Sequence, residues 1–251
     1  MKAKIFKIIT KISVIAFWLG IWEIIAILYN NTNIIPTVEL SFITLCNSIR
    51  DTAFISTVAA SLFRVLLGFV LGTLLSTALA ILASKVSFVK ALVSPVMTVA
   101  KSTPVVAIIL IVWLLVGGKN VPVAISTLMV MPIIWQNLID GFNSIDTNLS
   151  EICTVYNFSY GKKFRLLIFP TLMRFLLPGL LTASGLAFKS GIAAEYISMV
   201  KYSIGKEIYD AKTYNERPHM FAWVIVIILL SFVIEFSIKN AVRRIEKKWH
   251  L

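Results

Sequence analysis

The chain has 251 residues, of which 58% are hydrophobic and 14% are charged, and its formal net charge is +12. A soluble domain of this size carries roughly 25% charged residues, so the composition excludes a soluble globular enzyme. The basic residues stand in short clusters between apolar runs, which is typical of a membrane protein and not of a nucleic-acid-binding face. We therefore expect a protein that crosses a lipid bilayer and binds no nucleic acid.

The apolar runs predict six membrane-spanning helices in one all-α domain that covers residues 1–251. The first run follows a basic segment, but it is too long for a signal peptide and lacks an Ala-x-Ala exit, so we expect it to be retained. Residues 88–118 hold the third span, which we expect to be interrupted at Pro95, Lys101 and Pro104, with its deep part at 105–116. The predicted spans cover residues 12–29, 54–83, 100–118, 121–139, 166–194 and 221–238.

The distribution of positive charge predicts the orientation. With the N-terminus inside, 14 of the 24 Lys and Arg residues fall in inner segments and 6 fall in outer segments. The positive-inside rule then places both termini and the loop 145–165 in the cytoplasm. Because Cys46 and Cys153 would lie on opposite sides of the membrane, we expect no disulfide between them.

The loop contains a polar and aromatic segment between two apolar runs, Glu151 to Pro170. Asn148 and Glu151 have the spacing of a helix-capping pair. A short helix with aromatic side chains in the cytoplasm is suited to a groove of a soluble partner. The alternative is a surface helix folded against its own bundle. One face of the predicted helix would carry Leu149, Ile152, Cys153 and Tyr156.

This segment resembles the EAA loop of the permease subunits of bacterial ABC importers, because Glu151 and Pro170 have the spacing of that loop. The family's two Ala positions are Ile152 and Cys153 here, and its Gly position is Asn157, the best replacement where the backbone is left-handed. Other segments resemble the nitrate, sulfonate and taurine branch of these permeases. They are Trp22-Glu23, Ile35-Pro36, Ser61 to Phe69, Lys101 to Pro104, Asp140 to Phe142, Ala194-Glu195 and Ile204-Gly205.

The resemblance implies a six-helix type I importer permease in the bacterial plasma (inner) membrane, working as a homodimer with the pathway at the two-fold interface. It also implies two separate ATPase subunits, which would bind ATP and Mg, and an extracytoplasmic solute-binding protein. This chain itself would bind no cofactor. The solute would be nitrate, taurine, an alkanesulfonate or a thiamine-precursor pyrimidine. Residues implied in coupling to the ATPase are Glu151, Ile152, Cys153, Tyr156, Asn157, Phe158, Tyr160, Gly161 and Pro170.

Ionisable residues inside spans are costly and are functional candidates. By resemblance the fifth span lines the pathway, so Lys189, Ser190 and Glu195 are candidates for the path or its gate. Lys189 would either attract an anionic solute or pair with Glu195. For Arg64 we expect a structural role, either pairing with a carboxylate in the first or last span or capping backbone carbonyls.

The sequence contains no P-loop, carboxylate pair, nucleophile elbow or metal-ligand cluster, so we expect that the chain is not itself an enzyme. The alternative to an importer permease is a secondary transporter or channel that needs no ATPase. Such a protein is expected to have coupling carboxylates in mid-membrane, for which Glu23 and Glu235 are the candidates, and an internal repeat.

Overall fold

The computed structural model describes residues 2–32 and 34–249, and its long elements are all helical. The prediction of an all-α membrane fold is confirmed. A 3₁₀ turn, Gly118–Asn120, precedes α6, and a π-helical turn, Phe164–Ile168, precedes α9. The helices are α1 (Lys2–Tyr29), α2 (Val38–Ile49), α3 (Thr52–Lys85), α4 (Ser87–Ser102), α5 (Val105–Val116), α6 (Val121–Asn143), α7 (Thr147–Val155), α8 (Tyr160–Lys163), α9 (Phe169–Ser198), α10 (Ile204–Thr213) and α11 (Arg217–Trp249).

Within the described residues, five helical segments are long and apolar enough to cross a membrane: α1, α3, α6, α11 and the continuous run Tyr160–Ser198. The pair α4 and α5 adds a sixth span if it is counted as one, bent by 113° at the break. The expected interruptions at Pro95 and Lys101 are absent, because α4 runs from Ser87 to Ser102 through both, whereas the expected interruption at Pro104 is confirmed. The break falls at Thr103 and Pro104, since Pro104 lacks an N–H and holds Thr103 in an extended conformation.

Helix α3 buries small side chains and exposes large ones. Leu66, Leu71 and Leu74 all point away from the packed side of the helix. This reverses the pattern of a soluble protein, because in a bilayer the association of helices depends on close packing and not on burial of large apolar groups. The buried residues of α3 are Thr57, Ser61, Val65, Gly68, Gly72, Ser76, Ala80 and Ala83.

The backbones of α3, α6 and α9 approach each other closely around Ser126. A Cβ atom added to Gly68 would lie 2.5 Å from Ser126 Cβ, and one added to Gly191 would lie 2.6 Å from Ser126 Oγ. The Ser126 hydroxyl donates a hydrogen bond to the Ala187 carbonyl oxygen at 3.1 Å. One serine of α6 thus fills the space left by a glycine of α3 and a glycine of α9, and it also bonds the α9 backbone.

The two ends of the bundle carry different elements. At the α7 end, the aromatic rings of Phe169 and Trp249 lie 4.7 Å apart, which places the start of α9 beside the end of α11. At the opposite end, the α10 end, the backbone N–H of Val38 donates to the Glu23 carboxylate at 2.8 Å and so fastens α2 to α1. Glu23 therefore has a structural contact of its own.

The close approach of α3 to α6 at Gly68 predicts a steric effect of Gly68→Ala. The new methyl group would lie 2.5 Å from Ser126 Cβ and 2.7 Å from the Val123 carbonyl oxygen, so α3 and α6 must move apart. We expect the free energy of unfolding to fall by about 1–3 kcal/mol, seen as a lower thermal unfolding midpoint of the purified chain in detergent. The matched control is Gly185→Ala in α9, where nothing lies within 4 Å of the added atom. Equal thermal unfolding midpoints for the two variants would contradict the close packing of α3 against α6 at Gly68.

Candidate functional site

Helix α7 lies within the predicted coupling loop, and its N-cap is Asp146. The Asp146 carboxylate accepts hydrogen bonds from the backbone N–H groups of Asn148 at 2.8 Å and Leu149 at 3.4 Å. The predicted capping pair of Asn148 and Glu151 is therefore wrong. The helix begins at Thr147, so Asn148 already lies in the first turn, where its own N–H needs an acceptor.

The C-terminus of α7 is closed by a left-handed residue, as the sequence indicates. Asn157 has φ +51°, which confirms that asparagine occupies a left-handed position here. The Phe158 N–H bonds to the Cys153 carbonyl at 2.9 Å, and the Asn157 N–H bonds to the Thr154 carbonyl at 3.0 Å. This pair of bonds is the Schellman motif, which satisfies carbonyls that a helix end leaves open. Helix α7 is thus capped at both ends.

Most of the apolar stripe of α7, formed by Leu149, Ile152, Cys153 and Tyr156, is exposed on the surface. Only Cys153 is buried, whereas Ile152 is 49% exposed and Tyr156 is 72% exposed. Leu149 and Val155 are exposed as well. A helix that folded against its own bundle would bury this stripe, so the described fold leaves a short, capped helix with an accessible apolar face.

Two contacts hold the segment after α7, and one of them joins it to α7 itself. The Lys163 ammonium donates to the Ser150 hydroxyl at 2.7 Å. The Lys162 ammonium lies 3.9 Å from the centre of the Phe158 ring, a cation–π contact. Of the remaining coupling candidates, Tyr160 and Gly161 are exposed at the start of α8, Glu151 is exposed on α7, and Pro170 lies in the first turn of α9.

The gate candidate Glu195 is fully buried near the end of α9, where its carboxylate has three partners. Arg64 of α3 pairs with Oε1 at 3.0 Å, while the Ser61 hydroxyl donates to Oε2 at 2.8 Å. The backbone N–H of Gly205, at the start of α10, also bonds Oε2 at 3.3 Å. We call Glu195, Arg64, Ser61 and Gly205 the carboxylate lock, because it joins α3, α9 and α10.

The Arg64 side chain completes the lock. Its guanidinium also donates to the carbonyl oxygens of Tyr202 at 3.2 Å and Lys201 at 3.3 Å. The expected structural role of Arg64 is therefore correct, but its carboxylate partner is Glu195 and not Glu23 or Glu235. A buried ion pair of this kind is favourable only when further hydrogen bonds satisfy both partners, which is the case here.

The three predicted gate residues do not form one group. The Ser190 hydroxyl is buried and donates to carbonyls of its own helix, those of Leu186 at 2.7 Å and Ala187 at 3.3 Å. The predicted alternative that Lys189 pairs with Glu195 is wrong. Lys189 is exposed and lines a cavity of about 290 Å³ between α9 and α11, together with Glu235 and Lys239.

Two features escaped the sequence reasoning. Ser61 and Gly205 were not expected as partners of Glu195, although the spacing of Ser61 and Arg64 places both on one helical face. The second is a polar groove between α4 and α6, around Lys101 and Gln136, with a volume of about 410 Å³. Its signal in the sequence is a polar residue at every third or fourth position of α4.

The capping geometry predicts that Asp146→Ala destabilises α7 and that Asn148→Ala does not. Loss of an N-cap costs about 1 kcal/mol, so the amides of Asn148 and Leu149 should exchange with solvent about fivefold faster. Hydrogen–deuterium exchange on the purified chain measures the effect. If Asn148→Ala accelerated amide exchange in α7 more than Asp146→Ala does, the assignment of Asp146 as the N-cap would be wrong.

The carboxylate lock predicts a large loss of stability in Glu195→Gln. The amide keeps one acceptor but leaves the Arg64 guanidinium, whose side chain is only 18% exposed, without a counter-charge. We expect the free energy of unfolding to fall by about 3 kcal/mol. The control is Asp210→Asn, which removes the partly exposed ion pair with Lys206 and should change stability by less than about 1 kcal/mol. Similar losses in both variants would refute the lock.

Comparison with known proteins gives the family. Residues 68–247 match the model of the binding-protein-dependent transport system inner membrane component. A Bacillus subtilis protein that carries the name of an aliphatic sulfonates transport permease, SsuC, is 22% identical over 91% of this chain and 83% of its own length. A Methanocaldococcus jannaschii protein that carries the name of an ABC transporter permease is 25% identical over 97% of this chain and 91% of its own length. The chain therefore belongs to the binding-protein-dependent transport system inner membrane components, the multi-pass permeases of ABC importers.

Proposed function

We propose that this chain is the membrane-spanning subunit of an ATP-driven importer of a small solute, and that it works as a homodimer with one ATPase subunit bound at α7 of each copy. Members of the family generally act with ATPase and binding-protein partners. The observation that carries the proposal for this chain is the capped helix α7 with its exposed Ile152 and Tyr156. Exposed aromatic and apolar side chains on a rigid helix are effective interface anchors.

The connection of α7 to the bundle supports a lever role. The Lys163 ammonium donates a hydrogen bond to the Ser150 hydroxyl of α7. Lys163 belongs to a helical run that extends from Tyr160 to Ser198. Closure of the ATPase pair around ATP and Mg²⁺, which the partners bind, would displace α7 and tilt this run. The permease would then alternate between inward-open and outward-open states, with ATP selecting the state for which its affinity is higher.

We assign the α7 end and both termini to the cytoplasm of a bacterial inner membrane, on the charge distribution. Lys162, Lys163 and Arg165 lie at this end, together with the basic residues that close α11. The α10 end then faces outward, and a solute-binding protein would deliver its cargo to residues 30–51 and 200–217. Among the expected solutes, the name of the Bacillus subtilis relative favours an alkanesulfonate over nitrate, taurine or a pyrimidine.

The test is co-purification of the tagged chain with ABC ATPases encoded in the same genome. Ile152→Asp and Tyr156→Asp each place a charge on the exposed apolar face of α7, and we expect at least tenfold less ATPase retained, because a buried unpaired charge costs more than 1.4 kcal/mol. Thr154→Asp is the matched control, since Thr154 is exposed on another face of the same helix.

Two results would overturn the proposal. One is equal retention of the ATPase by the Ile152, Tyr156 and Thr154 variants. The other is solute uptake by proteoliposomes that contain the chain alone, unaffected by the α7 substitutions, which would favour a secondary transporter or channel.

A further inference from the structure

Helix α4 carries a polar stripe along its whole length. Its other two faces are apolar: Val89, Val93 and Met97 pack against the core, while Leu92, Val96 and Val99 are each 62% exposed. A polar face on a membrane helix needs water or protein groups beside it, because hydrocarbon offers no hydrogen bonds. The stripe recurs every three or four residues, at Ser87, Lys90, Ser94, Thr98 and Lys101.

Helix α6 presents polar side chains to the same space. Gln136, Asp140 and Asn143 line the groove opposite the α4 stripe, above a floor that includes Met97 and Trp135. The volume is about 410 Å³. From Lys90 to Lys101 the groove follows α4 for about 16 Å, at 1.5 Å per residue. A small solute with several waters fits such a space, since each water needs about 30 Å³.

The charges of the groove favour an anion. The Asp140 carboxylate accepts a hydrogen bond from the Gln136 amide at 2.9 Å. Among the residues that the structure describes, no ion pair or hydrogen bond engages the ammonium group of Lys90 or Lys101. An ammonium group without a counter-charge at membrane depth is unstable unless water or an anion approaches it.

Two other cavities are less suited to an anion. The cavity beside Lys189 and Lys239 has the same balance of charge, with Glu235 as its carboxylate, but it is smaller, about 290 Å³, and no amide side chain is among its lining residues. The cavity of about 640 Å³ at the α7 end has Lys85 and Lys90 among its lining residues but is formed chiefly by apolar side chains of α3, α6 and α9. The groove between α4 and α6 is lined mainly by polar groups, and its lysines and hydroxyl groups follow one stripe of α4 opposite the amides of α6.

We propose that the groove between α4 and α6 carries the transported solute as an anion, with Lys101 binding it within the membrane and Lys90 binding it near the α7 end. This inference rests on the proposed transport function, whose favoured solute, an alkanesulfonate, is an anion, and it adds the residues along the path of that solute. It also moves the solute contact from α9, where the sequence suggested Lys189, to α4.

The test uses the full chain in membrane vesicles, with Cys46 and Cys153 replaced by serine and one new cysteine introduced. Thr98→Cys places a thiol in the groove, beside Lys101. The probes are 2-sulfonatoethyl methanethiosulfonate, an anion with a sulfonate group, and its 2-(trimethylammonio)ethyl analogue, a cation. Both convert the thiol to a mixed disulfide and release methanesulfinate, and the rates are normalised to those of a free thiol in solution.

We expect the Thr98→Cys thiol to react at least tenfold faster with the anionic probe than the control Val99→Cys thiol, which lies at the same depth on the exposed apolar face. The Thr98→Cys thiol should also prefer the anionic probe over the cationic one by about tenfold, because Lys101 attracts the anion. Adding Lys101→Gln should remove that preference, and Lys101→Arg should keep it.

Equal rates for the Thr98→Cys and Val99→Cys thiols would overturn the proposal, because the groove would then hold no water path. A charge preference that is absent, or that survives Lys101→Gln, would overturn it as well. Since no ATPase takes part, this result is independent of the co-purification test. If the cysteine reactions show the expected charge preference but α7 binds no ATPase, the anion path is supported and the ATP-driven importer is rejected.

Discussion

The close approach of α3, α6 and α9 is the constraint on which the rest of the structure depends. Ser126 is enclosed by Gly68 and Gly191, and the Ser76 hydroxyl adds a hydrogen bond to the Met131 carbonyl at 2.8 Å. Larger side chains at these positions would separate the helices, and the polar groups between them would lose their partners. Because such packing has one arrangement and deforms poorly, the three helices should move as a rigid unit, with changes of shape confined to their ends.

One helical run connects the two ends. It extends over 39 residues from Tyr160 to Ser198, with the contact to α7 near its start and Glu195 near its finish. At the start, a π-helical turn allows the Phe169 N–H to bond the Phe164 carbonyl just before Pro170, which has no N–H to offer. The run therefore stays continuous where a proline would otherwise weaken it, so a displacement at α7 can reach the carboxylate lock through hydrogen-bonded backbone.

The sequence was informative where the physical cause is local. Asn157 could be assigned a left-handed conformation because few other residues tolerate it, and apolar runs locate spans because bilayer thickness sets their length. The prediction of Asn148 as the N-cap was wrong because Asn and Asp are both favoured at that position. Moving the start of the helix by two residues to Asp146 leaves the apolar pattern of α7 unchanged. The pairing of Arg64 with Glu195 joins residues 131 positions apart, and only the packing of α3 on α9 decides it.

Charged residues in the membrane can be ranked by how completely the fold satisfies them. Glu195 has an arginine, a hydroxyl and a backbone N–H, so its charge is used to hold three helices together. Glu23 accepts the Val38 N–H, and it too is structural. Lys101 lies in a polar groove that Asp140 also lines, and among the described residues no ion pair engages its ammonium group. A charge in a polar groove that no ion pair engages is available to a ligand, and for this reason we place the solute contact in the groove on α4 and not at the lock on α9.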